Sequence, residues 1–211
     1  MKTSLPVFGL VLLLVSGAGA RAGSDSGVKF MPALTARASI YDDAVPFQTD
    51  TGASVTLSEF RGRPVILSLF FSTCHVACPA TIAELLDVSR RLPRASRIPI
   101  LLVTIDPQTD TVEQLAACRT ENRLPGGILL LRGHPTQVRK LAAAAGIVYR
   151  VEAARIVHRP KVVVLDSSGV VAASFPGTHA NPETIVQAAL QAVTEEARDF
   201  SPPSETGPKR P

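Results

Sequence analysis

Two near-continuous apolar runs constrain this chain more than any other feature. Pro64–Phe71 (PVILSLFF) and Ile98–Ile105 (IPILLVTI) have the length of strands and no polar face. Strands apolar on both sides need cover on both sides, which is the situation of parallel strands inside an α/β sheet. Each run leads toward helix signals. After the first, a helix is predicted from about Pro79 to Arg91, with proline in its first turn. After the second, Asp110-Thr111-Val112-Glu113 reads as a capping signal for a helix reaching about Asn122.

The flanking segments extend the pattern. Pro46–Thr49 and Ser54–Leu57 flank Asp50-Thr51-Gly52 as a small hairpin, and Ser58–Gly62 suits one helical turn. Gly127–Leu131 is a short strand, Pro135–Ala145 a helix ended by Gly146, and Ile147–Val151 an edge strand. Lys161–Asp166 and Val170–Ser174 form a hairpin across Ser167-Ser168-Gly169. Asn181 caps a last helix from Pro182 to about Glu196. The expected fold class is α/β, with a central mixed sheet and helices on both faces. A hairpin near the end followed by a final helix is the pattern of a thioredoxin-like domain.

The ends read differently. Residues 1–22 carry Lys2, an apolar stretch Leu5–Val15 and small residues at Ala18-Gly19-Ala20 and Ala20-Arg21-Ala22, the pattern of a cleaved signal peptide. Residues 23–45 are expected to be a linker, 46–198 the domain, and 199–211 a disordered proline-rich tail. The leader places the domain outside the cytoplasm, in a periplasm or on the outer face of an inner membrane, with membrane association only if the leader is retained. Lys and Arg number 22 against 18 Asp and Glu, a net +4. No basic run stands out, which argues against a nucleic-acid partner.

Of three cysteines, Cys74 and Cys78 sit where the first buried strand gives way to the first long helix. That is the carboxyl edge of the sheet, where α/β folds place their sites, and a helix N-terminus, which favours thiolate. A spacing of four residues brings both sulfurs to one side of a turn. Two such thiols can form a reversible disulfide or hold a soft metal such as Cu(I). Cys118 lies inside the second helix, with a buried small side chain as its first reading and a resolving or intermolecular thiol as its second.

The segment Phe71-Ser72-Thr73-Cys74-His75-Val76-Ala77-Cys78-Pro79 resembles the Cys-x-x-x-Cys-Pro segment of the Sco/SenC family. Val103-Thr104-Ile105-Asp106-Pro107 through Asp110-Thr111 resembles that family's strand ending in Asp-Pro and the loop to Asp-Thr. His158 stands eight residues before Asp166, where the family has its distal copper-ligand histidine, and Asp166-Ser167-Ser168-Gly169 resembles the turn that follows. The resemblance runs from about Pro46 to Glu195. It implies a thioredoxin-like domain binding copper, as Cu(I) or Cu(II), through Cys74, Cys78 and His158.

It implies, further, a metallochaperone rather than a turnover enzyme. The partner would be the apo copper-site domain of a cytochrome c oxidase subunit, or another copper chaperone. The alternative is a thiol–disulfide oxidoreductase that uses Cys74 and Cys78 to reduce the cysteines of a partner copper site. Three ligands leave a coordination position open for a partner's donor, whereas structural zinc sites close with four. His75 stands where family members commonly have proline, and is open between a further ligand, a donor to a ligand and a solvated side chain. Asp106 is open between orienting the site and anchoring its loop. Pro160 stiffens the segment after His158.

Overall fold

The computed structural model describes residues 39–199 except 75, 76, 153, 154 and 179, and describes no side chains beyond 194. The expected leader, most of the linker, nearly all of the tail, His75 and His179 lie outside the described residues.

Nine strands and four α-helices are present among the described residues. The strands are β1 (Phe47–Thr49), β2 (Ser54–Val55), β3 (Val65–Phe70), β4 (Ile100–Thr104), β5 (Ile128–Arg132), β6 (Tyr149–Glu152), β7 (Arg155–His158), β8 (Lys161–Leu165) and β9 (Val171–Pro176). The helices are α1 (Ala77–Arg91), α2 (Val112–Glu121), α3 (Pro135–Ala144) and α4 (Pro182–Asp199). Seven strands form one mixed sheet in the order β2-β1-β5-β4-β3-β8-β9. β3, β4 and β5 run parallel at its centre, while β8 lies antiparallel against β3 and β9 against β8.

Every residue of β3 and β4 is buried, as their apolar runs require. Their side chains alternate between two cores. Ile66, Phe70, Ile100 and Leu102 pack under α1, α2 and α4. Leu67, Leu69, Leu101 and Val103 pack under α3 and the N-terminal turns. This is the expected α/β architecture with helices on both faces of a mixed sheet.

Two features depart from the sequence reading. The packed domain begins before residue 46: Ile40 and Tyr41, placed in the linker, are buried in the second core. The backbone of Ile40 donates to the Gly169 carbonyl at 3.0 Å, and the Tyr41 hydroxyl reaches the Arg63 carbonyl at 3.3 Å. The Tyr41 ring lies so close to Gly169 that a β-carbon there would stand 2.6 Å from it, which is why the hairpin turn carries glycine. The second departure is β6. Ile147–Val151 does not edge the main sheet; Tyr149–Glu152 pairs instead with β7 as a separate two-stranded hairpin. β7 alternates exposed and half-buried residues and β6 is exposed beyond Tyr149, which suits a ribbon covered on one face, not a doubly covered sheet.

Candidate functional site

β3 ends at Phe70, and the chain turns over Phe71 and Ser72 into the cysteine segment. Cys74 donates its backbone N–H to the Phe71 carbonyl at 3.2 Å, closing a tight turn. Helix α1 begins at Ala77, two residues earlier than proline placement suggests, so Cys78 lies in its first turn. The Cys78 N–H points at the Cys74 sulfur at 3.5 Å, one of the N-terminal donors that a helix leaves without a backbone partner. The two cysteines are thus brought together, with Cys74 half-buried and Cys78 buried. Burial pushes the Cys78 thiol up to about 12. A hydrogen bond from the Phe71 backbone pulls against this, and Cys74 and Asp110 add to the rise.

Asp110 is the residue that sequence reasoning missed. Its fully buried carboxylate accepts the Ser72 N–H at 3.1 and 3.2 Å and the hydroxyls of Ser72 and Thr104. The Thr104 oxygen in turn accepts the Asp106 N–H at 2.9 Å. One carboxylate therefore ties the ends of β3 and β4 to the start of α2. The capping role expected of this stretch falls to Thr111, which accepts the Gln114 N–H at 3.3 Å. In the sequence Asp110 stands out through the Asp110-Thr111 pair, as a cap and as part of the motif, and not as a carboxylate shared by two strand ends.

Asp106 anchors the loop through its backbone: its carbonyl accepts the N–H groups of Thr109 and Asp110 at 3.2 and 2.8 Å. Its side chain lines a cleft with Arg139, Tyr149 and Arg150, while the cysteines line another with Gln114 and Cys118. Cys118 is buried, as expected, with the Asn122 amide 3.6 Å from its sulfur.

His158 closes β7 opposite Tyr149. Its Nε2 is buried and has no hydrogen-bond partner among the described residues, and burial lowers its pKa to about 4, so the imidazole is neutral at ordinary pH. Its position follows from strand register. β8 pairs with β3 from Val65 opposite Leu165 to Ser68 opposite Val162, and the Ser68 hydroxyl donates to the Lys161 carbonyl at 3.0 Å. The residues preceding β8 therefore leave the sheet at the edge where β3 hands over to the cysteines. The hairpin packs on the second core through Tyr149 and Ile156, the cysteines on the first, and Phe71 touches both. Among the described residues, no three His, Cys, Asp or Glu side chains are gathered closely enough to hold a metal. His158 and the cysteines share an edge without meeting.

A protein-family model described as SCO1/SenC matches residues 38–194. A protein of Stutzerimonas stutzeri named as copper-binding is 32% identical over 104 residues, which is 48% of this chain and 46% of that relative. The chain thus spans less than half the length of the curated relatives it matches. BsSco is a member of the Sco family of cytochrome c oxidase assembly proteins in which a disulfide switch has been identified. Its structure matches with a TM-score of 0.62 and 23% identity, over 71% of this chain and 91% of that one. Copper-bound ScoI of Bradyrhizobium japonicum matches with a TM-score of 0.57 and 18% identity, over 73% and 96%. At these identities the structural likeness shows a shared thioredoxin-like fold.

Proposed function

The chain belongs to the SCO1/SenC family, and from that premise we propose that it is a copper-binding protein of cytochrome c oxidase assembly, with copper as its cargo and Cys74, Cys78 and His158 as the donors. The observation that carries the reading is the donor set at one sheet edge. The backbone N–H of Cys78 lies 3.5 Å from the Cys74 sulfur, Cys74 acts electrostatically on the Cys78 thiol, and a neutral imidazole nearby in the fold has a buried nitrogen without a partner among the described residues. Thiolate and imidazole suit copper in both of its common oxidation states. The chemistry fits, and His158 sits on a separate hairpin, so the third donor joins by movement of that element toward the cysteines. A donor carried on its own element can also be withdrawn, which suits a protein that gives its cargo away.

Anaerobic Cu(I) titration tests this. One copper per chain is expected for the reduced protein, none held tightly by Cys74→Ser/Cys78→Ser, and weakening of about tenfold or more for His158→Ala. Unchanged affinity in both variants would sink the reading.

The thiol–disulfide alternative draws on the asymmetry between the half-buried Cys74 and the buried Cys78, which suits attack by one sulfur and resolution by the other. Oxidation of the pair releases two electrons and two protons and removes two donors at once, so the two activities exclude each other at any instant. Reduction of a partner's disulfide by His158→Ala at the wild-type rate would favour this alternative. Export by the expected leader is part of the same proposal, and an intact mass of protein purified from the periplasm checks it.

A further inference from the structure

Between Arg139 and Lys161 the chain has six basic residues and one acidic residue, Glu152, a net +5. The whole chain carries +4, so the remainder sums to −1. The basic residues are spaced rather than consecutive, and no run reveals them; the fold collects three. In the β6–β7 hairpin Arg150 stands opposite Val157, and Tyr149 opposite His158. Alternation along the strands puts Arg150, Glu152, Arg155 and Val157 on one face, continued by Val148 and Arg159. Tyr149 and Ile156 occupy the other face and pack on the domain. The first face is open. Val148 is 67% and Val157 41% exposed, and all three arginines are exposed. Among the described residues its one ion pair is Arg150–Glu152 at 3.5 Å, and Arg155 and Arg159 meet no carboxylate.

We propose that this face is a docking surface for an acidic segment of a protein partner, recognised by Arg150, Arg155 and Arg159 around Val148 and Val157. Guanidinium groups match carboxylates two bonds at a time, and arginine beside apolar side chains is the composition of protein interfaces rather than of plain surface. The face lacks the aromatic and leucine side chains that enter lipid, which favours a protein over a membrane. The proposal rests on the function proposed above for its purpose: His158 belongs to the same hairpin, so a partner held on the outer face is held beside the site.

A fluorescein-labelled peptide of alternating Glu and Val serves as probe, with anisotropy read at low and high salt. Arg150→Glu/Arg155→Glu is expected to weaken binding about tenfold, two exposed charge pairs being reversed. Arg90→Glu/Arg94→Glu, in and just beyond the last turn of α1, should change it less than about twofold. Arg150→Gln/Arg155→Gln, which removes charge without reversing it, should fall between them. Equal losses in the hairpin and α1 variants, or no loss in either, would overturn the proposal by showing general attraction. So would loss of binding to phosphatidylglycerol vesicles by the hairpin variant with peptide binding intact. Cu(I) titration of the same variants keeps the two readings apart. Full copper binding with lost peptide binding supports docking, whereas a wild-type protein that binds peptide locally but no copper sinks the function and leaves the surface standing.

Discussion

At the scale of single residues, the site is governed by a side chain that is not itself a donor to any cargo. Asp110 is fully buried and survives as an acceptor because Ser72 and Thr104 supply every hydrogen it needs. Replacing it with Asn keeps the volume but turns one acceptor into a donor facing other donors. Asp110→Asn is therefore expected to cost about 2 kcal/mol in urea unfolding. It should also speed alkylation of Cys78, because Ser72 no longer fixes the turn that leads to Cys74. A stability loss with unchanged alkylation would confine Asp110 to holding α2. The same residue shows why one part of the site was hidden. A sequence displays which residues can coordinate, so Cys74, Cys78 and His158 stand out by type and spacing. It does not display which carboxylate two strand ends will enclose, because that depends on strands distant in the chain lying side by side.

At the scale of elements, the legible parts were those with their own period. The buried β3 and β4, proline-led α3 and the β8–β9 hairpin follow from local pattern and lie within a residue or two of where they were expected, as does α1, which begins two residues before its proline. β6 was misread as an edge strand and β7 went unread because a polar ribbon acquires its place only from what it packs against. That ribbon is held by few apolar groups, chiefly Tyr149 and Ile156, and a two-stranded sheet is marginal by itself. Its amides should exchange with deuterium well before those of β3 and β4; protection equal to the central strands would show a rigid donor arm and remove the movement proposed for His158. The β1–β2 hairpin is anchored in the opposite way. Arg119 on α2 binds Asp50, with Nη2 to Oδ1 at 3.1 Å, and also the carbonyls of Leu124, Pro125 and Ile128 at 2.8 to 3.1 Å. Asp50 is 5% exposed, so that fork supplies hydrogen bonds that water cannot. A lysine supplies one point charge where five geometrically fixed donors are in use. Arg119→Lys is expected to lower stability by about 2–3 kcal/mol; a change below about 0.5 kcal/mol would mean water replaces the fork without cost.

At the scale of the whole molecule, the sheet separates two cores, and the donors are divided between the elements that cover them. The cysteines belong to the α1 side and His158 to the hairpin on the α3 side. A cargo bound by all three would join elements packed against opposite faces of the sheet, with Phe71 packed against both cores. Binding to the native state alone stabilises by about 4 kcal/mol when free ligand is a thousandfold above Kd. For a domain of this size each kcal/mol raises Tm by about 2–4 °C. Binding of Cu(I) to unfolded thiols reduces the effect, so a rise on the order of 10 °C is expected for wild type. Cys74→Ser/Cys78→Ser should show almost none, and His158→Ala should fall between. Deuterium exchange decides whether the two sides are coupled. Cu(I) should slow exchange in β6 and β7 of the wild type and leave those strands unaffected in His158→Ala, while amides of the first turn of α1 are protected in both. A thermal rise with no protection of the hairpin would mean that the cysteines hold copper alone, and that His158 is an ordinary half-buried histidine at the edge of the second core.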